Sequence, residues 1–134
     1  IGGQSKLRQL WHNYYKGADG VVFVIDSSDQ ERLELVKKEV DRLMGEFELK
    51  DAVFLLLCNK EDKQGSLPCK EVARRLDAGR WIGRKVKLFS TNALTGEGVV
   101  EGLMWLTGEV KQRVQEETVD GIGTFFKSML GLRG

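Results

Sequence analysis

The strongest constraint in this sequence is an alternation that occurs three times: a short, continuously apolar run, then a longer segment with apolar residues at every third or fourth position. Val21, Val22, Phe23, Val24 and Ile25 form the first run, all β-branched or aromatic, and it ends in Asp26, Ser27, Ser28 and Asp29. Such a run reads as a strand buried on both faces that leaves into a polar loop. Leu33, Val36, Val40, Leu43 and Phe47 then recur at helical spacing with Glu, Lys and Arg between them, the apolar stripe of an amphipathic helix. Asp29 with Arg32 supplies an imperfect helix start. Residues 52–58 repeat the strand pattern, residues 59–68 form a loop, and a short helix is predicted over residues 69–76. Residues 86–89 make a third, shorter strand. After the polar segment 90–98, Val99, Leu103, Leu106, Val110 and Val114 mark the inner stripe of a helix ending near Glu117.

Strand and helix in strict alternation predict an α/β fold, a parallel sheet with right-handed crossovers and helices on both faces. At 134 residues there is room for one such domain and not for two. The net charge of +1, with basic and acidic residues interspersed, leaves no positive stripe for a nucleic-acid backbone. Cys58 and Cys69 are the two cysteines; they form no CxxC or Cys/His cluster, which argues against a zinc site and for a reducing, cytosolic setting. No apolar run approaches the roughly 20 residues that span a bilayer, and the first residues do not read as a signal peptide.

A sheet of this kind places its ligand beyond the carboxyl ends of its strands, so the loops after residues 25, 58 and 89 are the ones to inspect. The second begins Asn59, Lys60, Glu61, Asp62, an NKxD motif. A carboxylate in the plane of a guanine ring accepts hydrogen bonds from both N1–H and the exocyclic amino group, a pairing that adenine cannot offer. Asp62 suits that role. Asn59 can bridge the base and neighbouring loops, and the stem of Lys60 can lie along the ring. Taken alone, the four residues also fit a polar loop capping the next helix. The third strand, however, leads into Thr91, Asn92 and Ala93, where the small Ala93 would let a backbone N–H approach the guanine carbonyl. Two base-reading loops at adjacent strand ends favour a guanine pocket.

At these residues a family resemblance emerges. Ile1, Gly2, Gly3 and Gln4, then Leu7, Arg8, Gln9, Leu10 and Trp11, with Tyr14 and Tyr15, the Val24 to Ser27 strand end, the NKxD loop and residues 93–98 together resemble the Arf and Arf-like branch of the small GTPases, over residues 1 to about 110. The resemblance implies part of a doubly wound P-loop fold: strands four to six and helices three to five, with the switch II segment. Residues 1–117 would be this partial G domain and residues 118–134 a separate tail. It also implies GTP or GDP as ligand, with Gly3 offering its N–H to the γ-phosphate and Gln4 orienting the attacking water. From the residues alone, Gly2, Gly3 and Gln4 say only that a flexible loop ends in a polar side chain. Leu7, Trp11 and Tyr14 would bind effector and regulatory proteins, or equally serve packing. His12 reads as a surface residue and Cys58 as a small core residue.

No G-x-x-x-x-G-K-[ST] motif occurs in the chain, so the lysine on the phosphates and the hydroxyl on magnesium that the family uses have no occupant here. The first residue is Ile1 rather than methionine, and the resemblance implies a truncated GTPase, with a genuine half-domain as the alternative. GTP hydrolysis and Mg2+ would belong to the complete protein, a cytoplasmic switch in contact with Golgi or other intracellular membranes and active in vesicle or membrane traffic. The rival readings are a non-catalytic interaction module derived from a G domain and a flavodoxin-like domain with a chance NKxD. The strand at residues 21–25 is expected to form an apolar sheet edge. In the tail, Ile122, Phe125, Phe126, Met129 and Leu130 fall on one helical face. Such an element could fold back on the domain, dock in a partner's groove or lie in a membrane interface, the first two being favoured because only Lys127 and Arg133 are basic.

Overall fold

The computed structural model describes residues 18–59, 64–92 and 94–131, the side chains of residues 124–126 excepted. Three parallel strands form one sheet in the order β1 (Gly20–Asp26), β2 (Val53–Asn59) and β3 (Val86–Thr91). Between them run α1 (Leu33–Met44) and α2 (Cys69–Arg75), and α3 (Val99–Met129) follows the last strand. The alternating α/β order expected from the sequence is the order observed.

Strand pleating divides the side chains of β2 between two layers. Phe54, Leu56 and Cys58 share one face with Ile25 and meet Leu33, Val40 and Leu43 of α1, with Val72 of α2 and Leu76 just beyond it. Leu55 and Leu57 point the other way, toward Gly102 of α3. Fully burying an aliphatic or aromatic side chain contributes about 2 kcal/mol, and every residue of β2 except Asn59 is buried. The middle strand is therefore the centre of the fold. At the α3 crossing a Cβ on Gly102 would come within 3.2 Å of Leu57 Cδ2 and 3.3 Å of Leu55 Cδ1. Its absence lets the helix settle close to the sheet, while Trp105 meets Phe89 at 6.2 Å between ring centroids.

Four expectations are corrected. β1 is not buried on both faces: Val22 is 44% and Val24 62% exposed. Among the described residues β1 is the edge of the sheet, and α3 lies chiefly over β2 and β3 and touches β1 at Gly20, which leaves Val22 and Val24 exposed. Phe47 does not continue the stripe of α1. The amide of Gly45 closes that helix on the carbonyls of Asp41 and Arg42, at 3.0 and 3.1 Å. Phe47 then falls in a 3-10 turn, 74% exposed, and Leu49 takes the core position.

The inner face of α3 is also shifted. Leu103 and Val114 are exposed, while Gly102 is buried, because the close helix–sheet contact is made by the residue without a side chain. Lastly, α3 does not stop near Glu117 but continues to Met129. Gly121 and Gly123 weaken a helix by roughly 1 kcal/mol each relative to alanine, but they remove no backbone donor and so need not end it. Ile122, Met129 and Leu130 are exposed on this extension, so these residues do not fold back on the domain. Among the described residues, no helix is long and apolar enough to cross a membrane.

Candidate functional site

Parallel pairing sets the carboxyl ends of the strands level with one another. Asp26 is the register partner of Asn59, and Asn59 of Thr91, so three loops leave the sheet side by side. The first two are tied together. The Ser27 amide donates to the Asn59 carbonyl at 3.0 Å, and the Leu67 amide donates to the Ser27 carbonyl at 2.9 Å. Gln30 Nε2 adds a bond to the Gly65 carbonyl at 2.8 Å. Asp26 turns back on its own loop, its Oδ1 accepting from the Ser28 amide at 3.0 Å and the Ser28 hydroxyl at 2.6 Å. These ties fix where the NKxD segment leaves β2 and where its chain returns.

The third loop is built around Asn92. Its Oδ1 accepts from the amides of Leu94 and Thr95 at 3.0 and 3.4 Å, its own amide donates to Glu97 O at 2.9 Å, and the Gly96 amide donates to its carbonyl at 2.7 Å. The local Asx geometry follows from a short amide side chain that can reach backbone donors two and three residues ahead. Gly96 and Gly98 both have φ of +79°, the left-handed region that glycine enters without strain. Thr91, by contrast, is buried at the strand end.

Of the residues singled out from the sequence, Asn59, Thr91 and Asn92 are thus brought together at one end of the sheet. Lys60, Asp62 and Ala93 lie outside the described residues, as do Gly3, Gln4, Leu7, Trp11, His12 and Tyr14. Ser27 was missed as a structural junction. It is fully buried, and its hydroxyl has no hydrogen-bond partner among the described residues; only its place immediately after a strand hinted at this. Among the described residues no group of three or more His, Cys, Asp or Glu could hold a metal.

A separate cleft of about 400 Å3 lies at the opposite, amino end of the strands, lined among others by Lys50, Arg84, Arg113, Glu116 and Asp120. Within it Arg113 pairs with Asp19 and Glu117, and Arg84 donates to two backbone carbonyls.

The sequence model of the Arf, or ADP-ribosylation factor, family matches residues 1–110. This chain belongs to that family. Among solved structures it is similar to the Arl6 BBS3 small GTPase of Trypanosoma brucei with bound nucleotide analogue GppNp, at 34% sequence identity and a TM-score of 0.76. The match covers 84% of this chain and 70% of that one. The chain is therefore a small GTPase relative of Arf type, and the level strand ends described above are the carboxyl ends of an Arf-family α/β sheet.

Proposed function

We propose that this Arf-family chain supplies the guanine-reading half of a GTP-binding switch. The register partnership of Asn59 and Thr91 supports the reading, because the two strands that lead into the NKxD motif and into Asn92 and Ala93 end side by side. In this reading Asp62 accepts from the guanine N1–H and amino group, Lys60 lies along the ring, Asn59 steadies the loops, and the Ala93 amide meets the carbonyl oxygen. A carboxylate desolvated in such a pocket rejects a base that leaves it without donors. Gly3 and Gln4 would stand at the γ-phosphate, the latter as the residue that orients water.

Phosphoryl transfer depends on positioning and charge stabilisation by a phosphate loop and a magnesium ion. The 134 residues contain no G-x-x-x-x-G-K-[ST], so by themselves they hold guanine weakly and do not turn over GTP. With a phosphate loop, the protein would act as a GTP-controlled switch that engages effectors through Leu7, Trp11 and Tyr14 and serves traffic at intracellular membranes.

Titration of the chain with a fluorescent guanine nucleotide, with ATP as competitor, tests both parts. The expected result is binding weaker than micromolar, at least about tenfold selective for guanine over adenine and lost in Asp62→Ala. Equal displacement by ATP would sink the base reading. Submicromolar affinity or measurable hydrolysis would sink the claim about phosphate.

A further inference from the structure

Cys58 and Cys69 lie eleven positions apart, yet their sulfur atoms are 3.1 Å from each other. Cys58 is buried at the carboxyl end of β2, and Cys69 is half-buried as the first residue of α2. They are the only two cysteines in the sequence. Packing alone does not require this pair, since two small apolar residues would fill the same space. What two thiols add is chemistry: a disulfide holds its sulfurs at about 2.05 Å, so the observed 3.1 Å separation must shorten by only about 1 Å. The Leu67–Ser27 backbone bond holds the chain entering α2 beside the end of β2.

We propose that Cys58 and Cys69 form a reversible intramolecular disulfide, a redox-responsive clasp across the loop between β2 and α2. The oxidant is a peroxide. The half-buried Cys69 gives up its proton, and its thiolate attacks one peroxide oxygen; the O–O bond breaks, leaving a sulfenic acid and hydroxide, which takes up the proton to become water. Cys58 then attacks the sulfenic sulfur, its proton joining the departing hydroxyl as a second water while the S–S bond forms. Overall the two thiols lose two electrons and two protons, and hydrogen peroxide is reduced to two waters. A small-molecule thiol reverses the bond by exchange. Burial of Cys58 assigns the order of attack, and its proximity lets it intercept the sulfenic acid before further oxidation. Compartments that keep thiols reduced tolerate disulfides chiefly when they are transient and redox-sensing. Asn59, Lys60 and Asp62 lie within the clasped segment, but bond formation itself does not depend on the guanine reading.

The test treats the full chain with hydrogen peroxide and follows thiol titration, intact mass and a non-reducing peptide map. Both thiols should disappear, the mass should fall by two hydrogens, about 2 Da, and one peptide should join Cys58 to Cys69. Dithiothreitol should restore all three readings. Amide exchange over the segment between the cysteines should slow by about tenfold on oxidation. Cys69→Ser should abolish the mass loss and protect Cys58 from peroxide, and Cys69→Ala should behave alike. Retention of both thiols, conversion of Cys69 to a sulfinic acid, or exclusively intermolecular disulfides would overturn the proposal.

Discussion

The α-carbon of Gly98 is pressed against the carbonyl of Ser90, so that a Cβ on Gly98 would overlap the Ser90 oxygen. The backbone there also has φ of +79°, and the contact joins the end of β3 to the start of α3, directly behind the loop of Asn92. Gly96 shares the dihedral, but open space surrounds it. Backbone strain and collision can thus be separated. Gly96→Ala is expected to cost about 1 kcal/mol, the left-handed penalty alone. Gly98→Ala should cost on the order of 3 kcal/mol or more, because the obstacle is backbone and cannot swing aside. Urea unfolding of the two variants checks this, and equal costs would contradict the assignment.

The buried hydroxyl of Ser27 leads to an opposite sign. Its oxygen is fully enclosed and meets no hydrogen-bond partner among the described residues, and a desolvated polar group in that condition destabilises the native state. Ser27→Ala should therefore leave stability unchanged or raise it by about 1 kcal/mol. Ser28→Ala should lower it by about 1 kcal/mol, since it loses the 2.6 Å bond to Asp26. The pair is read from guanidinium unfolding midpoints. A clear loss on Ser27→Ala would mean that the hydroxyl has work to do at the junction of the loops.

How much of this was legible beforehand follows from what each residue's chemistry depends on. The alternation of apolar runs and stripes fixed the order of strands and helices, because burial on β2 and helical spacing on α1 are local patterns. Exposure of Val22 and Val24 was not legible, since it depends on which strand a helix covers. Phe47 and Leu49 traded places because Gly45 ended the helix one turn early, a capping event that periodicity does not register. The strand ends of the candidate site, at Asn59 and Thr91, were legible from the apolar runs that lead into them. The scaffolding of that site was not: the Ser27 bonds to Asn59 and Leu67 use backbone groups, which every residue carries. The meeting of Cys58 and Cys69 also required the fold, because neither sequence neighbourhood resembles a redox motif.

Arg84 is a further case in which an ordinary surface residue type holds the fold together. Its two terminal nitrogens donate to the carbonyls of Met44 at 2.6 Å and Leu49 at 2.7 Å, and its guanidinium lies 5.1 Å from the centre of the Phe54 ring. Partial burial pushes the guanidinium's pKa below its ordinary value, only partly opposed by Asp51. Met44 ends α1 and Leu49 ends the 3-10 turn after it, so one side chain satisfies the carbonyls of two chain ends that β2 must follow. Arg84→Met keeps most of the apolar contact and removes both charge-assisted bonds, and it should destabilise by about 2–4 kcal/mol. Arg84→Lys offers a point charge in place of a planar fork; reaching one carbonyl at a time, it should recover roughly half of that loss. Thermal and urea unfolding of both variants measure the difference. A fully stable Arg84→Met would show that water replaces the guanidinium at both carbonyls without cost.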